Sequence, residues 1–153
     1  MIKKWVVECI CLFLVVLFVY TGLSKFADFS EFSAAIGKSP MLAMISNWIS
    51  YAVPLTEIVL ALLLVIPKTR LVALYGSFSL MLMFSIYIYL MIYYSDYRPC
   101  TCGGIIQEMS WTAHLYFNIG TTLMTLIAIL LEILPSRGSY KRFGYRKPRA
   151  ESI

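Results

Sequence analysis

The sequence predicts an all-α integral membrane protein, a bundle of four transmembrane helices with a short interfacial helix in the first outer loop. Two observations carry this. The chain is 60% hydrophobic and only 14% charged, with a mean hydropathy of +0.78, whereas a soluble domain carries about 25% charged residues. The apolar residues also gather into four runs, each near the ~20 residues that cross ~30 Å of hydrocarbon as a helix. Helices are required, because lipid offers backbone polar groups no partner. The net charge is +5. It does not point to nucleic acid, since the charges sit in loops and a tail between the apolar runs.

The first run extends from Trp5 to Leu23. Lys3, Lys4 and the small residues Gly22 and Ser24 also allow a signal peptide, but Lys25 to Ile36 reads as a continuation of the structure. The first outer loop holds Phe29, Phe32 and Ile36 at helical spacing. Asp28 and Glu31 mark its start, and Gly37 followed by Pro40 its stop. This predicts a short helix lying greasy side down, a lid over the mouth of the bundle. The second run, Ile45 to Ile66, and the third, Leu71 to Tyr94, are joined only by Pro67-Lys68-Thr69-Arg70. So short a link forces an antiparallel hairpin. The fourth run is Ala113 to Leu134. Trp5, Trp48, Trp111, Tyr93, Tyr94 and Tyr97 fall at span ends, as an interfacial aromatic belt requires.

Residues 1–135 form the membrane domain, and residues 136–153 a basic tail expected to be disordered and drawn to anionic headgroups. With four spans both termini share one side. That side holds Lys3, Lys4, Lys68, Arg70, Arg137, Lys141, Arg142, Arg146, Lys147 and Arg149; the other holds Lys25, Lys38 and Arg98. The asymmetry predicts cytoplasmic termini. The loop before the fourth span then faces an oxidising compartment.

That loop carries Cys100-Thr101-Cys102-Gly103-Gly104. Extended, the two Cα atoms would lie ~6.6 Å apart. A turn, accessible beside glycines, brings them into bridging range. So small a ring is strained and suited to exchange, with Arg98 nearby to lower a thiol pKa. A structural disulfide, a free pair, and a Cu(I) or Zn site with His114 as third ligand stay open. Cys9 and Cys11 point about 200° apart on a helix and read as packing residues.

Two further features lie within the spans. Glu57, near the middle of the second, must face the bundle, either protonated or hydrogen-bonded. It is either a packing lock or a proton acceptor, and Pro54 is expected to kink the helix beside it. On the fourth, His114, Asn118, Thr121 and Thr125 share one face, expected to point inward and to hydrogen-bond between helices. His114 is either interfacial or a group that activates a thiolate or hydrogen-bonds a quinone-like carbonyl.

With these residues in view the chain resembles the DoxX-like superfamily of four-helix membrane proteins, and most of all its methylamine-utilisation MauE branch. The resemblance covers most of residues 5–134. It rests on Tyr20-Thr21-Gly22-Leu23-Ser24-Lys25-Phe26 with Asp28-Phe29, on Val53-Pro54 with Glu57, and on Cys100, Cys102 and Gly104. It implies a redox-associated protein of the bacterial inner membrane, of a branch linked to maturing the disulfide-rich small subunit of methylamine dehydrogenase in the periplasm. Other DoxX-like members are associated with quinone-coupled sulfur oxidation. The plan is also similar to that of vitamin K epoxide reductase-type enzymes, although their CxxC pair is absent here. The expected site comprises Cys100, Cys102 and His114 as exchanging and tuning groups, and Glu57, Asn118 and Thr121 around a small-molecule or proton pocket. A quinone or a periplasmic thioredoxin-like or cysteine-rich protein is the expected electron partner. A non-catalytic assembly subunit and a soft-metal site are the competing functions.

Overall fold

The structure, a computed structural model, describes residues 2–39, 42–94 and 110–134. Among the described residues there are five α-helices, α1 (Ile2–Ala27), α2 (Phe29–Gly37), α3 (Ser46–Val65), α4 (Arg70–Tyr94) and α5 (Trp111–Ile133), and a 3₁₀ turn, Ala43–Ile45, that leads into α3. α1, α4, α5 and the stretch Ala43–Val65 are each long and apolar enough to cross a membrane. The protein is therefore a multi-pass membrane protein, as its sequence predicts, with the short helix between the first two spans. The observed α1 is longer than expected, running about 39 Å, because the segment through Lys25 continues the helix.

The four long helices form a ring. α1 packs most extensively on α3 and α4 on α5, while the α3–α4 and α1–α5 seams are looser. The α3–α4 link is closed by Thr69, whose Oγ1 donates to the carbonyls of Leu63 (2.8 Å) and Ile66 (3.2 Å). At the same end Lys3 Nζ donates to the Leu134 carbonyl, tying the start of α1 to the end of α5. Here the core is densest, around Val7, Leu14, Phe18, Leu64 and Leu74. The opposite end is covered by α2, where Ala35 and Ile36 are buried. Trp5, Trp48, Tyr93 and Tyr94 are exposed at helix ends as a belt requires, but Trp111 is half-buried and turned toward the bundle. Cys11 is buried and Cys9 exposed, in keeping with their divergent directions.

α1 and α3 approach closely because residue 22 has no side chain. A Cβ there would lie 3.0 Å from Ile58 Cδ1 and 3.3 Å from the Pro54 carbonyl oxygen. The second contact is backbone and cannot yield. α3 continues unbroken through Pro54, whose missing N–H leaves the Ser50 carbonyl without its usual helical donor.

Gly22→Val should push these helices apart and destabilise the protein by about 1–3 kcal/mol. Gly120 has nothing within 4 Å of a Cβ position. Gly120→Ala should therefore be neutral or stabilising, by up to about 1 kcal/mol. Thermal unfolding of the two variants in detergent micelles checks the contrast.

Candidate functional site

A cavity of about 440 Å³ lies under α2, in the half of the bundle away from the termini, and every helix contributes to its wall. α1 supplies Leu17, Thr21 and Lys25, and α2 supplies Phe32 and Ile36. Ile49, Val53 and Glu57 come from α3, and Met81, Met83, Phe84, Tyr87 and Ile88 from α4. α5 adds Trp111, His114, Phe117 and Asn118. The wall is predominantly apolar, with a few polar groups among aromatic rings.

The strongest polar feature is an ion pair. Lys25 Nζ lies 2.8 Å from Glu57 Oε1 and 3.0 Å from Oε2, so the lysine donates to both oxygens. The Lys25 side chain is 18% exposed and that of Glu57 only 1%. Helix geometry explains how a residue near the end of one span meets the middle of another. Side chains lean toward the N-terminus of their own helix. α1 and α3 are antiparallel neighbours, so Lys25 leans down into the bundle while Glu57 leans up. The ammonium is 3.5 Å from the Thr21 carbonyl, one turn back. It also lies 5.9 Å from the Phe32 ring centroid and 5.8 Å from that of Phe84, within cation–π range. An isolated charge at this depth would cost roughly 2.5–3.5 kcal/mol; pairing and the two rings offset that. Lys25 therefore does not mark the membrane surface, as its position in sequence suggests. It is the counter-charge that Glu57 needs.

The α5 stripe points inward as expected, with Asn118, Thr121 and Thr125 buried. Its hydrogen bonding differs from expectation. Asn118 Nδ2 donates to the His114 carbonyl (2.9 Å), Thr121 Oγ1 to that of Phe117 (2.9 Å) and Thr125 Oγ1 to that of Thr121 (2.8 Å). These donors are satisfied within α5, so the stripe does not stitch helices together through them. Asn118 and His114 reach the cavity, whereas Thr121, one turn further from α2, does not line it. The structure thus brings Glu57, Asn118 and His114 to one cavity.

Besides the Lys25–Phe32 approach, further contacts hold α2 and the residues after it over the cavity. Ile36 is buried beneath it, and Phe29 stacks on Tyr51 with ring centroids 4.5 Å apart. Tyr87 Oη donates to Ser39 Oγ at 3.2 Å, and the same hydroxyl lies 3.9 Å from Met91 Sδ. Ser39, Tyr87 and the cavity-facing Trp111 carry no sequence signal of their own. Nor does Lys25; the signal was on Glu57, an ionisable residue inside a span that calls for a partner of opposite charge.

Cys100, Cys102 and Arg98 lie outside the described residues. They fall in the sequence between Tyr94 at the end of α4 and the Ser110 cap of α5, where Ser110 Oγ accepts from the Ala113 backbone N–H at 3.2 Å. Among the described residues no three His, Cys, Asp or Glu side chains come together as a metal site.

The family profile of the methylamine utilisation protein MauE matches residues 3–131. The chain belongs to that family. No curated protein and no solved structure matches it.

Lys25→Met and Glu57→Leu should each cost about 3–5 kcal/mol, because each strands a buried charge. The double variant should lie closer to the parent than either single one. Unfolding of all four proteins in mixed micelles, read as a double-mutant cycle, checks this.

Proposed function

We propose that this MauE-family membrane protein supports thiol–disulfide exchange on the outer face of a bacterial inner membrane, with Cys100 and Cys102 as the exchanging pair and a secreted partner as its client. The family is associated with methylamine utilisation, and the client would be a periplasmic thioredoxin-like or cysteine-rich protein being matured. The reading rests on one combination: two cysteines one residue apart, in the link between α4 and α5, whose adjoining ends carry cavity residues.

The positive-inside rule supports cytoplasmic termini, which puts this link outside. With Lys25 withdrawn into its ion pair, the outer side keeps only Lys38 and Arg98 against the ten basic residues opposite. In exchange, a client thiolate attacks one sulfur of the Cys100–Cys102 disulfide and the other cysteine leaves as thiolate; a second client thiolate then resolves the mixed disulfide, so the client gains the disulfide and the pair is left reduced. His114 is placed on the first turn of α5, on the side of the cavity from which the link departs. Its role would be to accept or return the thiol proton.

In aerobic cells Cys100 and Cys102 should be found partly oxidised, protected from alkylation until reductant is added. After reduction they should react with a membrane-impermeant maleimide added from outside. Cys100→Ser with Cys102→Ser should leave the protein level unchanged and slow disulfide formation in the client. A pair that stays fully reduced, or that is reached only from the cytosol, overturns the reading. A loss of protein level with client disulfides intact would indicate a fixed structural bridge, and copper or zinc lost on serine substitution would indicate a metal site.

A further inference from the structure

The cavity has a side opening. Ile45, at the start of the second span, is 52% exposed and Met83 of α4 is 61% exposed, yet both line it. Residues that face both the cavity and the lipid define a mouth between α3 and α4. This is one of the two looser seams of the ring. The helices are linked tightly only at the far end, so they can part here. α2 covers the cavity from above. Access is therefore from the bilayer.

The interior limits what can occupy it. Its volume of about 440 Å³ suits a small organic ligand. An acyl chain alone would leave the remaining polar atoms of His114 and Asn118 in the wall without a partner. A fatty-acid or phosphate anion is disfavoured because Lys25, the one lysine or arginine among the described lining residues, is already neutralised by both oxygens of Glu57. What remains is a neutral head that accepts or donates hydrogen bonds. Asn118 Nδ2 gives one N–H to the His114 carbonyl, which leaves its second N–H and its Oδ1 to meet a ligand. The His114 imidazole offers one nitrogen as donor and the other as acceptor. Phe84, Phe117 and Trp111 supply ring surfaces, which favour a flat head.

We propose that this cavity is a side-access site for a bilayer-soluble quinone, with its ring among these aromatic residues, its carbonyl oxygens toward His114 and the second N–H of Asn118, and its tail leaving between Ile45 and Met83. The proposal rests on the thiol–disulfide reading for its purpose. Oxidising two thiols to a disulfide releases two electrons and two protons, and a quinone that takes up both leaves as the hydroquinone. Binding itself needs no cysteine.

The test uses the full chain in lipid nanodiscs with Trp5→Phe and Trp48→Phe, so that Trp111 alone reports. Decylubiquinone should quench its fluorescence saturably. Ile45→Phe with Met83→Phe narrows the mouth at lipid-facing positions and should weaken binding at least tenfold, with the thermal transition unchanged. Cys100→Ser with Cys102→Ser should bind as the parent does. Quenching that rises linearly with quinone and is the same in the narrowed variant overturns the site. Stronger competition by palmitate than by decylubiquinone overturns the neutral-ring assignment. Saturable binding in a protein whose cysteines prove inert would leave the site standing and remove the exchange reading. Active cysteines without saturable quenching would do the reverse.

Discussion

The arrangement of this bundle depends on the need to keep two opposite charges together away from water. Lys25 and Glu57 come from different spans, and their side chains approach from opposite directions along antiparallel helices. Their pairing requires α1 and α3 to lie close, which the absence of a side chain at Gly22 permits against Ile58 and the Pro54 carbonyl. It also fixes the helices along their axes. A slip of one turn, about 5.4 Å, would separate the charges and leave each in a low-dielectric interior. Apolar packing alone sets such a register weakly, because lipid tails compete equally well for apolar side chains.

The rest of the polar content is handled differently. Ser50, Ser77 and Ser85 donate to carbonyls four residues back, as do Thr121 and Thr125. Each hydroxyl is satisfied by its own helix before the bundle assembles. Such residues are cheap to bury and small enough to let helices approach. The two ends of the molecule differ as a result. Toward the termini the interior is filled by Val7, Leu14, Phe18, Leu64 and Leu74. Toward α2 the ion pair, Asn118 and His114 border a cavity that the surrounding aromatic residues do not fill.

That asymmetry connects family and chemistry. Membership of the MauE family is carried by a match over residues 3–131, nearly the whole helical domain. The cavity lies within it, beneath α2 and beside the two helix ends from which the cysteine-bearing link departs. The thiol pair proposed for the outer face would need somewhere to send or obtain electrons. A side-opening pocket with a largely apolar wall and a few polar groups is a physically suitable place for a lipid-soluble carrier.

By itself the sequence determined the four spans, the tight α3–α4 hairpin, the short helix after the first span, and the inward face of α5. These follow from local composition and periodicity, which any segment carries without reference to its neighbours. It also marked Glu57 as a residue in need of a partner. Only the tertiary structure decided that the partner is Lys25. A lysine two residues from a helix end normally reaches for the headgroups, and nothing local says that it turns inward. The same holds for Tyr87 and Ser39, which meet across 48 positions of chain, and for Trp111, whose span-end position suggested the interface. A cavity has no sequence signature, because it is the space left between side chains from five helices once their register is set.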